Sequence, residues 1–334
     1  MFFSFSRAAV LFLPLFVIAC THSDHEVGSG PSVATTSGSV VAELGPEGSV
    51  IYRDIGYAAP PVDTLRWRAP ATLNTPERSI SAFADPVMCP QPQSMTSGGV
   101  AGEYLGTEDC LYLDVYAPNP TDVSDPLPVM LWIHGGSNLT GHKGTYDFSR
   151  LAARQRVVVV VINYRLGPFG WFVHPALNGP DLDSSPVANF GTLDMIEALR
   201  WTQKNIDGFG GNPAKVTVFG ESAGGRNVFS LLASPLANGL FHRAIAQSGH
   251  VRSVGMAEAY NFERQYPTVD RGSWEVVGAL DLEAANTSAE ALRAVPAHDL
   301  LRAYFELEED HIQPLVIRDG VVIPAEGILA ALAD

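Results

Sequence analysis

Val216-Thr217-Val218-Phe219-Gly220-Glu221-Ser222-Ala223-Gly224-Gly225 joins a run of Val and Thr to a helix-forming stretch through Gly-x-Ser-x-Gly. Strand, sharp turn and helix in that order are the context of a nucleophile elbow. A serine on so tight a turn has strained backbone dihedrals, and the residues two before and two after it must be small to pass one another. Gly220 and Gly224 meet that need. Gly-x-Ser-x-Gly alone is also an ordinary turn, so it is the flanking strand and helix that point to chemistry. Ser222 is the candidate nucleophile, and the N–H of Ala223 at the helix start is a candidate donor to an oxyanion.

Three further apolar runs predict buried strands: Leu111 to Val115, Val129 to Ile133 and Val157 to Ile162. Before the strand Val216 to Phe219, a helix is predicted from about Gly191 to Ile206, with Leu193, Ile196, Leu199 and Trp201 as its apolar stripe. A second helix is predicted from about Ala223 to Leu232, stopped by Ser234-Pro235. Strand, helix, strand implies an α/β fold. Val40 to Val50, broken by Gly45, Pro46 and Gly48, predicts a small antiparallel hairpin ahead of the main sheet, and Tyr52 to Pro70 an irregular surface loop. Trp132-Ile133-His134-Gly135-Gly136-Ser137-Asn138 ends a core strand in a glycine-rich loop, the place for further oxyanion donors.

With 334 residues, 46% of them hydrophobic, the chain can bury a sizeable core. A formal net charge of −15 and a pI near 4.9 argue against nucleic acid, whose phosphates need Lys and Arg. Met1 to Ala19 reads as a secretion signal: one cation, Arg7, then the apolar run Ala8 to Ile18, too short to span a bilayer comfortably. Val17-Ile18-Ala19-Cys20 resembles the bacterial lipobox, in which the cysteine is lipidated; the alternative is an ordinary cleaved signal with an incidental cysteine. Thr21 to Ser39 has the Ser, Gly and Thr content of a flexible tether. The expected organisation is a signal peptide over 1–20, a tether over 21–39 and one domain over 40–334. Its expected place is the bacterial cell envelope, held to the membrane by lipid on Cys20, or otherwise the periplasm or medium. Cys89 and Cys110 then form an even pair in an oxidising compartment and are read as a structural disulfide worth roughly 3 kcal/mol, with two buried thiols as the alternative. The histidines and acids form no zinc pattern, so no metal or other cofactor is expected.

Longer motifs add to this. Ile55-Gly56-Tyr57-Ala58-Ala59-Pro60-Pro61, Glu108-Asp109-Cys110-Leu111-Tyr112-Leu113-Asp114-Val115, Asn163-Tyr164-Arg165-Leu166-Gly167, Asn205 to Asn212 and Ala244-Ile245-Ala246-Gln247-Ser248-Gly249 stand in this order around the elbow. Across Val50 to Gly249 the chain resembles the type B carboxylesterase (cholinesterase-like) family of α/β-hydrolases. The resemblance implies an α/β-hydrolase fold with a central mixed, mostly parallel sheet, the Cys89–Cys110 disulfide, and cleavage of small-molecule esters through an acyl-enzyme. It implies Ser222 as nucleophile, Gly136, Ser137 and Ala223 as oxyanion donors through backbone N–H groups, and Ser248 near the triad. Glu221 and Asp194 correspond to structural carboxylates.

The chain also departs from the family pattern. Ser137 stands where the family usually has a third glycine, and the Cys89–Cys110 loop lacks the tryptophan with which cholinesterases hold a quaternary ammonium. The match lapses at His250-Val251-Arg252 and returns around Ile317 to Pro324. Triad order on this fold is Ser, acid, His, so the acid and histidine are expected beyond Asp334 and the domain is expected to be C-terminally incomplete and inactive alone. His242, His250 and His311 are the internal candidates for a substitute base, against a default of surface or core histidines. The alternative function is a non-catalytic cell-surface binding module on an esterase scaffold. Retention of Ser222 and most of the oxyanion loop favours the enzyme.

Overall fold

The computed structural model describes residues 30–333 apart from 81, 84, 94–102, 120–124, 179–186, 268–271, 283–286 and 307–313. The signal, Cys20, His22, His25, His311 and residues 21–29 of the expected tether lie outside the described residues. The chain opens with β1 (Ser32–Thr35), β2 (Gly38–Val41), β3 (Glu43–Leu44), β4 (Ser49–Gly56) and β5 (Ser79–Ile80). Beside the disulfide, β6 (Gln91–Pro92) pairs antiparallel with β7 (Tyr104–Leu105). The main strands follow: β8 (Tyr112–Pro118), β9 (Leu127–Ile133), β10 (Val158–Ile162), β11 (Gly211–Glu221) and β12 (Arg243–Gln247). The helices that cover them are α1 (Ser149–Gln155), the single turn α2 (Gly167–Gly170), α3 (Phe190–Asn205) and α4 (Ala223–Ala233). Beyond β12, a parallel pair of β13 (Ser253–Gly255) and β14 (Val316–Arg318) encloses α5 (Met256–Tyr260), α6 (Ser273–Gly278), α7 (Ala289–Ala294) and α8 (Ala297–Glu306), and α9 (Ile328–Ala331) follows.

Seven strands form the central sheet in the order β12-β11-β9-β10-β8-β4-β3. The half that carries the elbow, β10-β9-β11-β12, is parallel, and the half toward β3 is antiparallel. The inner part of the sheet needs both faces covered, because an unbroken apolar run such as Val158 to Ile162 has no polar side to show to water. β10 shows the consequence: all five of its residues are 0% exposed. Val158, Val160 and Ile162 belong to the large core with α3 and α4, while Val159 and Val161 pack with Ala152 of α1, Trp132 and Phe219. The buried strand expected over Val157 to Ile162 is thus found, as are those at β8, β9 and β11.

Three expectations need correction. Tyr52 to Pro70 was expected on the surface as loop, yet β4 runs through Gly56 between β8 and β3, and Tyr52, Ile55, Tyr57 and Trp67 are buried. The strand is hidden in sequence because Asp54 adopts φ 55° and the pairing with β8 shifts register between Tyr52 and Ile55, which breaks the two-residue alternation. Residues 32–41, partly within the expected tether over 21–39, are folded: β1 and β2 form a hairpin whose turn is tied to α3 by Thr36 N–H donating to Asn205 Oδ1 at 2.8 Å and Trp201 Nε1 donating to Ser37 Oγ at 3.0 Å. The antiparallel turn expected over Val40 to Val50 is present as β3 and β4, but β4 belongs to the main sheet instead of preceding it.

α3 is buried on almost every side, not along one stripe; Thr192, Asp194 and Thr202 are fully buried beside the expected Leu193, Ile196, Leu199 and Trp201. Burial of Asp194 is compensated by Arg165, which donates from Nε to Oδ2 at 2.8 Å, from Nη2 to Oδ1 at 2.6 Å and from its backbone N–H to Oδ2 at 3.0 Å. Burial pushes the Asp194 carboxyl up, and the guanidinium opposes that shift. Cys89 and Cys110 are bonded, as expected.

Candidate active site

β11 delivers Ser222 at the C-terminal end of the parallel half, and α4 starts at the next residue. Ser222 holds φ 57° and ψ −117°, a conformation that costs an ordinary L-residue on the order of 1–3 kcal/mol. Bonds on both sides hold it there. Its N–H donates to Gln247 O at 2.9 Å, and its carbonyl accepts from Arg226 N–H at 3.0 Å. The turn also needs Gly224, since a Cβ at that position would sit 2.1 Å from Ile133 O.

The glycine-rich loop after β9 lies against this turn: a Cβ on Gly135 would be 2.8 Å from Glu221 O and 3.3 Å from Ser222 Cβ. Gly136, Ser137 and Asn138 take φ of 97°, 62° and 58° in succession. Ser137 therefore adopts the left-handed conformation for which glycine is the default, and Asn138 is a residue type that tolerates it. Leu139 N–H and Thr140 N–H both donate to Gly136 O at 2.9 Å, closing the loop. Among the described residues no hydrogen bond engages the N–H groups of Gly136 or Ser137, and Ala223 N–H belongs to the first turn of α4, where donors have no partner within the helix. The three predicted oxyanion donors are thus brought to one end of the sheet beside Ser222.

The loop rests on polar groups to which sequence reading assigned no role. Tyr164 Oη donates to His134 O at 2.7 Å, Gly167 N–H to Asn138 O at 2.7 Å, and Asn227 Nδ2 to Asn138 Oδ1 at 2.8 Å. Tyr164 and Gly167 lie in the quoted Asn163 to Gly167 motif; for Asn138 and Asn227 the signal was only position, after the glycine pair and on the first turns of α4. His134 stacks on Tyr164 with ring centroids 4.4 Å apart, and its Nδ1 lies 2.8 Å from Gly135 O. Burial pushes this imidazole down to about 4, so it is neutral and braces the loop without acting as a base at neutral pH.

Ser248 follows Gln247, the residue that accepts from Ser222 N–H, and has φ 53°. It is therefore next to the elbow, although its hydroxyl forms no hydrogen bond among the described residues. Glu221 precedes the nucleophile with its carboxylate toward Gly135 and is partly buried. None of the described histidines bonds to Ser222 Oγ. His242, just before β12, is held midway along β11 by Val216, whose N–H donates to its Nδ1 and whose carbonyl accepts from its N–H. His250 is beside Arg226 and Arg252, and burial and those two charges hold its imidazole down. Groups of three or more metal-ligating side chains are absent among the described residues, as are helices long and apolar enough to cross a membrane.

The carboxylesterase family matches residues 30–329. The para-nitrobenzyl esterase of Bacillus subtilis (strain 168) is 38% identical over 260 residues, covering 76% of this chain and 52% of that protein. Carboxylesterase 1E of Rattus norvegicus is 34% identical over 344 residues, 95% of this chain and 58% of the relative. Among solved structures, a thermophilic PNB esterase superposes with a TM-score of 0.77 at 35% identity, over 91% of this chain and 60% of the other. The chain thus spans between half and three fifths of the length of these relatives. Matched from the N-terminal hairpin to α9, with the α/β-hydrolase architecture of these esterases, the chain belongs to the carboxylesterase family.

Proposed function

We propose that this chain supplies the nucleophile and the oxyanion hole of an esterase that cleaves carboxylic esters through an acyl-enzyme. The observation that carries the proposal is Ser222, held on a strained turn against Gly135, with the N–H groups of Gly136 and Ser137, unbonded among the described residues, next along that loop and the helix-start N–H of Ala223 next along the chain. In the reaction, Ser222 Oγ attacks the ester carbonyl carbon while a base takes its proton. The carbonyl oxygen becomes an oxyanion within reach of the three N–H groups. Collapse expels the alcohol and leaves the acyl group on Oγ, and water repeats the sequence to release the acid. Since a serine at its ordinary pKa is a weak nucleophile, the base sets the rate. The order of the triad on this fold places the acid and the histidine after Ser222 in the chain.

Loss of the triad histidine in a serine protease lowers kcat by on the order of a million-fold. None of the described histidines bonds to Ser222 Oγ, so added imidazole, as a diffusing base, is expected to raise acetylation of Ser222 by p-nitrophenyl acetate. The measurement is the acetyl adduct on the Ser222 peptide and the initial rate, each against Ser222→Ala. Equal adduct and rate in the two folded proteins, at every imidazole concentration, reject the esterase reading. Fast hydrolysis without imidazole that depends on Ser222 assigns the base to this chain, with His311 as first candidate.

We also propose export and anchoring through lipid on Cys20, from the lipobox-like run before it. More than one acyl chain is needed for stable attachment. Cys20→Ala is expected to move the protein from the membrane to the soluble fraction; unchanged fractionation rejects the anchor.

A further inference from the structure

The loop that presents the Gly136 and Ser137 N–H groups is held on its inner side by Tyr164, Gly167 and Asn227, all parts of the core. Its far end is held from another direction. Gln91, 0% exposed, donates from Nε2 to Gly141 O at 3.0 Å and accepts at Oε1 from Gly141 N–H at 2.8 Å. One side-chain amide thus pairs with both backbone groups of one residue, as a neighbouring strand would. Gly141 has φ 112° and is pressed onto the start of the loop: a Cβ there would lie 2.5 Å from His134 Nδ1 and 2.9 Å from Gly135 O. Holding Gly141 in place therefore holds both ends of the loop together.

Gln91 is itself fixed by the disulfide loop. Its Nε2 also donates to Cys89 O at 3.0 Å. Asn163 Nδ2 donates to Val87 O at 2.9 Å and Cys110 O at 3.1 Å, and Asn163 Oδ1 accepts from Lys143 N–H at 2.7 Å. The disulfide and Asn163 thus brace the segment from which Gln91 reaches Gly141.

We propose that Gln91 is a positioning residue for the oxyanion hole: its amide holds Gly141, and through Gly141 the Gly136 and Ser137 N–H groups, while the Cys89–Cys110 bond holds Gln91. The proposal rests on the esterase reading of Ser222. Oxyanion donors act on charge that exists only after attack, so a slack loop lowers the maximal rate of acylation and leaves the ground-state affinity for ester alone.

Gln91→Met keeps the length and volume of the side chain and removes all three hydrogen bonds. In the imidazole-supported assay, it is expected to lower the maximal rate of Ser222 acetylation on the order of 100-fold, with the half-saturating ester concentration unchanged. Amide hydrogen exchange at Leu139 and Thr140, which bond within the loop and not to Gln91, is expected to accelerate while exchange in β9 and β11 stays the same. An unchanged rate, a rate loss matched by a rise in half-saturating concentration, or protected Leu139 and Thr140 amides in the folded variant overturns the proposal. Should Gln91→Met fail to fold, the wild-type chain reduced with dithiothreitol under native conditions gives the second test: opening at residues 88–92 must bring faster exchange at Leu139 and Thr140, and protection there overturns the proposal. Absence of any Ser222 adduct in the wild type rejects the esterase reading, while the exchange measurement still decides whether Gln91 holds the loop.

Discussion

Gly224→Ala is expected to reduce imidazole-supported acetylation of Ser222 by on the order of 100-fold or more, and to destabilise the fold. The new Cβ would stand 2.1 Å from Ile133 O, a backbone atom that cannot swing aside. Either the start of α4 or the end of β9 must then shift by about an ångström, and a misplacement of that size near reacting atoms costs roughly 100-fold. Strain of this kind typically lowers stability by about 1–3 kcal/mol as well. The control is Gly278→Ala in α6, where an added Cβ meets nothing within 4 Å and the site is exposed. Adduct formation and thermal unfolding of both variants decide the matter. Normal acetylation in a folded Gly224→Ala protein would falsify the placement of Ile133 against the elbow.

Asp194→Ala is expected to be the most destabilising single change, at roughly 3–5 kcal/mol, because it leaves the Arg165 guanidinium charged, buried and without its bidentate partner. Loss on that scale is a third or more of the stability of many domains. Replacing both partners, as in Asp194→Leu with Arg165→Met, is expected to cost less than Asp194→Ala alone, since no uncompensated charge remains. Denaturant unfolding of the three variants provides the comparison. A loss below about 1 kcal/mol for Asp194→Ala would show that water reaches the pair.

The elbow, β10 and the glycine-rich loop were legible in sequence because each depends on neighbours in the chain: small residues about Ser222, an unbroken apolar run, and a glycine pair directly after a strand. β4 was not legible. Its Arg53 and Asp54 interrupt the apolar pattern, and the left-handed φ of Asp54 changes which way the following residues face. The polar supports of the site were hidden for a different reason. Gln91 meets Gly141 across 50 residues, Asn227 meets Asn138 across 89, and Thr36 meets Asn205 across 169, and such pairings have no period along the chain. The same holds for α3: its apolar positions suggested one covered face, whereas bonded Asp194, Thr202 and Asn205 allow it to be enclosed.

The hairpin of β1 and β2 also fixes where the chain ahead of it joins the domain. Its turn is fastened to Asn205 at the close of α3, and β1 packs against the short turn Ile206–Phe209 that leads into Gly211, where β11 begins. Ser222 follows the other end of that strand, roughly 30–35 Å away at about 3.3 Å per residue. With lipid on Cys20, the anchor would thus join the domain at the end of β11 away from Ser222, and the ten steps from Cys20 to Gly30, at most about 36 Å, would be about as long as that strand, enough to let the elbow face either the bilayer or the water.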